Sequence, residues 1–558
     1  MTRASKRPPA PAAVPQPRPA SEPAPAGSPA FTRVTVVLPW DLDARLAAFP
    51  RTPDAGQLLV LETRAKPAAL PFHRQKLALV VSALRHFVAE RRAAGFRVEH
   101  RVADDYATGI REFAAWARPA ALVAMEPREH AIDRRFRELA AELPLELVPD
   151  GGPGGHFLIT RAEFARWTEG RKILRMEHFY PEMRRRFGLL VDRAGKPEGG
   201  KWSFDTENRG HARGVEVPAI PWVEPDAITQ SALRFANRVG RWGTAEPFGW
   251  PCTRADALAW LDDFVGGRLA RFGQYEDAIR SDARFLFHSL LSAPLNLGLL
   301  HPLEVATAVS DAYRAGRIEL ASAEGYIRQV IGWREFIRGV YWHLMPGLRT
   351  ANQLGGTLPL PAAFWEPEQT EVRCLRDALE SVRDTGYTHH IERLMVICNY
   401  ATLAGLDPRP VSQWFWAAFI DAYEWVELPN VVGMGMFGTD AFTTKPYVAS
   451  AAYIQRQSGV PSKGRTAAAI RDEAPCARCK FDPGQRTGPD ACPYNAMYWD
   501  FLAQHRVRLS GNPRTRTLLG HLDRMAPGEL VAIRATAAAH RATLAPMEPP
   551  WEFDDDAG

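Results

Sequence analysis

With 558 residues the chain is longer than one hydrophobic core usually organises, so two folded domains with connecting segments are expected. Its 46% apolar and 24% charged content is that of a soluble globular protein, and a net charge of +5 permits a polyanionic partner without requiring one. Six cysteines are too few for a disulfide scaffold and point to a reducing cytoplasm, and the sequence lacks the run of roughly eighteen apolar residues that a membrane-spanning helix needs.

Residues 1–30 carry Arg3, Lys6 and Arg7 but then run through Pro, Ala and Ser without an apolar segment, so a disordered tail rather than a signal peptide is expected. Over 31–150, β-branched or apolar runs at Val34 to Leu38, Leu58 to Leu61, Val98 to Val102, Ala121 to Met125 and Leu145 to Val148 alternate with helical patterns. That alternation predicts an α/β domain with a parallel sheet. Between the second and third runs, Leu77, Val80, Val81, Leu84 and Phe87 fall at helical spacing over 76–92, as a crossover helix requires. There is no GxGxxG turn. Residues 151–225 are rich in Gly, Pro and charge, with basic segments at 171–175 and 184–186, and read as an inter-domain connection able to lie over the surface. From 226 to 545 helical patterns dominate, predicting a large all-α domain, and 546–558 form an acidic tail.

Two helices in that second domain carry the most information. The first repeats apolar residues from Ile327 to Leu344, with Ser322 as the expected N-cap and Pro346 as the stop. The second starts at Thr388 and closes at Gly405, and its spacing places His390, Arg393, Leu394 and Ile397 on one face. A histidine and an arginine are thereby expected to look into the same space.

Cys476 and Cys479 are separated by two residues, and after twelve more comes Cys492-Pro493. Three thiols at this spacing in a polar, Gly/Pro-rich loop suit an iron-sulfur cluster or a structural zinc, and spacing alone does not separate the metals. A fourth ligand must come from Cys374, Cys398 or Cys252. Cys374 follows the charged Glu371-Val372-Arg373, whereas Cys398 adjoins Val396 and Ile397 and reads as packing.

The tract Gly332-Trp333-Arg334-Glu335-Phe336-Ile337-Arg338-Gly339-Val340-Tyr341-Trp342 resembles the signature helix of photolyases and cryptochromes, specifically their bacterial iron-sulfur group. Further matches stand at His288 to Ser292, Thr388 to Met395, Asp421 to Asn430 and Lys445 to Ser450, and the likeness runs collinearly from about Phe31 to Ala545. The resemblance implies an antenna-type α/β domain and a helical domain holding a U-shaped FAD. It also implies a 4Fe-4S cluster on Cys374, Cys476, Cys479 and Cys492, and a monomer that binds ultraviolet-damaged DNA.

By the same resemblance His288, Ser289 and Ser292 are assigned to the phosphate and ribityl part of FAD, and Trp333, Arg334 and Arg338 to the lining of its pocket. Arg393 and Asp421 correspond to the pair that flanks the flavin ring, and Glu427 to the side chain that faces flavin N5. His390 matches the histidine that contacts the lesion in (6-4) photolyases, with His389 beside it to orient it. Tyr447 and Tyr453 would line the cavity for a flipped nucleotide. Read without the resemblance, a helix-borne histidine beside an arginine is more often structural. Trp414 is the implied proximal electron carrier, with Trp365, Trp416 and Trp425 as candidate extensions; Phe415 stands where relatives often carry Tyr.

The first domain departs from the family. Where relatives read Gly-Asp-Gln-Leu after the first strand, this chain has Pro39-Trp40-Asp41-Leu42, and Lys66 stands where a second acid is usual. These departures leave open whether a lumazine antenna binds or the flavin absorbs light alone. The function so implied is light-dependent repair of (6-4) photoproducts by electron transfer from reduced FAD, with a histidine proton donor. The alternatives are a cryptochrome-type blue-light photoreceptor and an iron-sulfur nucleic-acid-binding module.

Overall fold

The runs Val34 to Val37, Leu58 to Leu61 and Leu122 to Met125 are almost wholly buried, the condition of strands covered on both faces. In the computed structural model, which describes residues 17–19, 31–460, 473–511 and 513–547, they pair as expected. Strands β1 (Arg18–Pro19), β2 (Arg33–Val37), β3 (Gln57–Thr63), β4 (Val98–Ala103), β5 (Ala121–Met125) and β6 (Leu145–Val148) form one sheet ordered β1-β4-β3-β2-β5-β6. All pairs are parallel, with Val36 opposite Leu59 on one side and Ala124 on the other. β1 is unforeseen: two residues of the stretch read as tail pair with β4, while the rest of that tail, like nearly all of 546–558, lies outside the described residues. The winding reverses between β2 and β5, where a doubly wound sheet opens a ligand crevice at the carboxyl ends of its strands.

The crossover helix spans Arg74–Ala93 and buries Leu77, Val81, Leu84 and Phe87. Beyond residue 226 the described residues are helical without a further strand. One apolar core runs without a polar break from Val37 and Leu58 in the sheet to Trp414 and Tyr494 among the helices. A second cluster covers the sheet's other face and takes in Tyr341 and Trp425.

The segment 151–225 does not simply drape over the surface. It contains helices Arg161–Thr168, opened by a Thr160/Glu163 capping box, and Met176–Phe187. Their buried Tyr180 and Phe164 wedge against the signature helix at Gly332 and Gly339, and Phe179 packs on Phe336. The basic run at 184–186 is likewise only partly a surface feature: Arg184 is fully buried and donates to the carbonyls of Leu189 and Trp202, each at 3.2 Å.

The signature helix runs unbroken over 320–344, with a wide π-type turn at Arg328–Trp333. Its N-cap is Glu319, not Ser322. Ser322 lies inside the helix, where its buried hydroxyl accepts from the Gly273 N–H at 3.2 Å. The second helix runs from His390 to Ala404 with a wide turn at Glu392–Cys398, and Gly405 closes it at φ +84°. Thr388 satisfies no backbone amide; its hydroxyl donates to the Glu392 carboxylate. The wide turn breaks the expected shared face: Leu394 and Ile397 are buried, Arg393 is half-buried and His390 is exposed.

Candidate active site and cysteine cluster

The wide turn at 392–398 turns Arg393 inward toward the loop after helix Pro408–Ala418. Its Nη1 and Nη2 donate to Asp421 Oδ1 and Oδ2 at 3.0 and 3.1 Å, and its Nε to the Thr388 carbonyl at 2.7 Å. The guanidinium lies over Phe419 and Tyr387, 4.3 and 4.9 Å from their centroids. Ser292 donates to Asp421 Oδ2 at 2.5 Å, and Asn296 to the Asp421 carbonyl at 2.8 Å. Burial alone would raise the Asp421 pKa, but the Arg393 charge and these hydrogen bonds hold it below its ordinary value. A fixed, ionised Arg–Asp pair lies here against aromatic faces.

Glu427 feels both members of the pair. Burial pushes its pKa up, and Asp421 adds to this against Arg393 and Lys76. Lys76 is pushed down by burial, and its Nζ donates to the carbonyls of Trp416 and Ala422 at 2.5 and 2.7 Å. Lys76 comes from the crossover helix and was not singled out from the sequence; a lysine on an otherwise buried helical face was the available signal.

His288 and His389 stack in parallel, 4.7 Å between centroids and 8° between planes. Burial drives His288 down to about 3 and His389 well below its ordinary value, so both are neutral. His288 Nε2 and both His389 ring nitrogens lack a hydrogen-bond partner, and His389 Nε2 lies 3.4 Å from Glu392. His390, by contrast, is exposed. The surrounding protein, then the charges of Arg393 and Arg328, press its pKa to about 4. Ser289 Oγ accepts from the Tyr326 hydroxyl at 2.9 Å. Tyr447 and Tyr453 are half-buried, and the Tyr453 hydroxyl donates to Asp277 at 3.3 Å.

The structure thus brings His288, Ser292, His389, His390, Arg393, Asp421 and Glu427 together. It sets Arg334 and Arg338 apart from them. Both guanidinium groups lie 4.2 Å from the Phe157 centroid, and Arg338 donates to the Ile159 carbonyl at 2.9 Å, facing the connection from the α/β part. Trp333 is half-buried, its ring 6.0 Å from Phe336.

A parallel sheet continued by a helical layer is also the organisation of known proteins. Over 519 residues, 91% of this chain and 99% of the relative, the sequence is 37% identical to a (6-4) photolyase of Agrobacterium fabrum. The chain belongs to the photolyase/cryptochrome family. A family profile described as deoxyribodipyrimidine photo-lyase-related protein matches residues 35–250. In fold the chain is similar to a bacterial class III photolyase from Agrobacterium tumefaciens (TM-score 0.51, 17% identity, 93% of this chain and 99% of the other). It is also similar to a Synechocystis cryptochrome (TM-score 0.52, 14% identity, 82% and 90%).

Within this family member, Cys374 is buried at the start of helix Arg373–Thr385 and feels Cys476, Cys492 and Cys479 electrostatically. Burial first, then the neighbouring sulfurs, raise the Cys374 and Cys476 thiols well above their ordinary value. Cys398 is instead packed against Gly435, and Cys252 donates to the Trp250 carbonyl at 3.4 Å. No group of three or more His, Cys, Asp or Glu side chains among the described residues is close enough to hold a single metal ion.

The crevice between β2 and β5 is filled by the chain itself. Trp40 is 3% exposed and meets Tyr423 edge-on at 5.9 Å. Lys66 Nζ reaches Glu129 at 2.6 Å, and Arg128 bonds Asp150 at 2.7 Å and the Asn296 carbonyl at 3.0 Å. Trp40 Nε1, Asp41 Oδ2 and Glu129 Oε1 are buried there without a hydrogen-bond partner. The side chains lining this end of the sheet are thus an indole and an ammonium already paired with a carboxylate, not the acids that the family resemblance associates with a lumazine.

Proposed function

We propose that the protein repairs (6-4) photoproducts in ultraviolet-damaged DNA by light-driven electron transfer, as a photolyase with FAD as its working chromophore. The observation that carries this reading is the exposed His390 within electrostatic reach of Arg393, which is itself paired with Asp421. Bound FAD would supply the light absorption and the electron. Arg393 and Asp421 would flank its ring, with charge and hydrogen-bond capacity for a reduced, anionic flavin. Ser292 and Asn296 lock Asp421, and the Glu427–Lys76 couple sets the charge near the ring through one shared titration. His288 and Ser289 would serve the phosphate and ribityl end.

His390 is the proton donor of this proposal. Neutral in the free protein, it gains a proton when a polyanion binds beside it, because negative charge stabilises the imidazolium. A ring nitrogen then delivers that proton to the lesion as the electron arrives. Its neighbour His389, locked in the stack, fixes the backbone from which His390 projects. Tyr447 and Tyr453 would hold the dinucleotide once it has left the duplex. The four thiols would hold a 4Fe-4S cluster. Cys374 and the three thiols of the Gly/Pro-rich loop interact electrostatically, as four ligands of one cluster would.

The test is repair of a synthetic (6-4) oligonucleotide by photoreduced protein under blue light, with a dark control. Intact pyrimidines should reappear only in light, and His390→Ala should lose repair while keeping flavin absorbance. Undiminished repair by that variant would remove the proton-donor role. No repair by wild-type protein holding photoreducible FAD would make the protein a cryptochrome-type photoreceptor.

A further inference from the structure

Reduction of a flavin held beside Arg393 and Asp421 requires oxidisable rings from that pair to water. Of the continuations expected from the sequence, Trp416 and Trp425 do not supply them, and only Trp365 does. Residue 415 is Phe, stacked on Phe419 at 4.9 Å, and a benzene ring does not yield an electron at potentials where an indole does. Trp416 is an indole, but Lys66 holds its ammonium 4.5 Å from the ring centroid. The electrostatics that favour a cation over the neutral ring oppose making that ring a cation. Trp425 belongs to the other buried cluster, where Arg334 lies over it.

A different cluster forms a continuous path. Trp414 is fully buried and one ring removed from Arg393, since Phe419 lies under the guanidinium and 5.6 Å from Trp414. Trp365 lies 6.5 Å from Trp414; Trp242 lies 6.4 Å from Trp414 and 5.3 Å from Trp365. Trp242 Nε1 donates to the Trp365 carbonyl at 2.8 Å, fixing the two rings edge to face. Exposure rises along the series: Trp414 is fully enclosed, Trp365 is 6% exposed and Trp242 is half-buried. Trp242 follows helix Ala227–Val239 and is anchored where its carbonyl accepts the Arg74 amide at 3.0 Å. Its ring meets His73 edge-on at 5.4 Å, and burial keeps His73 uncharged with a pKa of about 4. The Arg74 guanidinium turns to the Gly243 carbonyl.

We infer that Trp242 is the terminal electron relay of this protein, carrying to solvent the oxidation that begins at Trp414. The inference rests on the flavin reading above. Trp414 gives one electron to photoexcited oxidised flavin; Trp365 and Trp242 return one to Trp414. The deficit settles on Trp242, where a thiolate in solution gives one electron and becomes a thiyl radical. The flavin is reduced by one electron and the thiolate oxidised by one. No proton passes between the rings, because Trp414 Nε1–H stays bonded to the Phe364 carbonyl at 3.0 Å and Trp242 Nε1–H to that of Trp365.

Flash excitation of the full-length holoprotein with oxidised FAD tests this, read as tryptophan-radical absorbance and as photoreduction rate against dithiothreitol concentration. Trp242→Phe should shorten the radical lifetime and lower photoreduction by at least an order of magnitude, with FAD content and melting temperature unchanged. Trp242→Tyr should restore part of both, and Trp416→Phe should leave the radical lifetime as in wild type. A wild-type lifetime in Trp242→Phe, a short lifetime in Trp416→Phe, or no tryptophan radical in wild type would each overturn the inference. Wild-type protein reduced chemically in the dark reports on repair separately. If it fails there, the repair reading falls while the flash result still decides on Trp242.

Discussion

Glu392 sits beside the stacked histidines, its carboxylate receiving the Thr388 hydroxyl and lying 3.4 Å from His389 Nε2. Burial, and to a lesser degree the Asp377 charge, raise its pKa from 4.5 to about 8 against the Thr388 hydrogen bond. The folded protein therefore keeps a proton that the unfolded chain releases, so this contribution to stability is complete below pH 4.5 and is lost as pH rises through about 8. Glu392→Gln keeps the shape and removes the titration. The melting temperature of wild type should fall more steeply between pH 6 and 8 than that of the variant, and equal slopes would contradict the buried proton. At this scale His390 and Arg393 were legible from helical spacing, and Asp421 only through the family resemblance. Lys76 and Trp242 were not, since their partners lie hundreds of residues away in sequence.

The signature helix shows what an element adds. Glycine inside a helix costs about 1 kcal/mol relative to alanine, so Gly339→Ala would stabilise an isolated helix. Here a Cβ at 339 would meet three Phe164 ring atoms at 2.2–2.3 Å. The substitution is expected to destabilise the protein by roughly 1–3 kcal/mol, as overpacking does, measured by denaturant unfolding. A neutral or stabilised variant would show that Phe164 can move aside. Strand positions followed from apolar runs, and Gly405 ended its helix as expected. The wide turns at 328–333 and 392–398 had no sequence signal, because an extra residue in a turn is favoured by what packs around it rather than by local propensity. Ser322 failed as a cap for a related reason: the Gly273 amide from another helix claims its hydroxyl.

For the whole molecule, the decisive feature is how the α/β part meets the helices. Trp40 and Lys66 fill the crevice at the sheet's switch point and contact Tyr423 and Trp416 of the helical part. Purified protein incubated with 6,7-dimethyl-8-ribityllumazine should retain only FAD after dialysis, and its excitation spectrum should carry flavin bands alone. Stoichiometric lumazine in wild type would contradict a filled crevice. Trp40→Gly, which removes the indole, is expected to gain binding. By itself the sequence determined the parallel α/β part, the helical part, the family and the thiols able to meet, because these follow from hydrophobic period, collinear motifs and ligand spacing. Only the tertiary structure decided that part of 151–225 is wedged into the core, that Arg334 and Arg338 turn from the Arg393–Asp421 pair, and that Trp242 stands beside Trp414 and Trp365. Each of those outcomes depends on close packing between segments distant in the chain, which no local pattern of residues encodes.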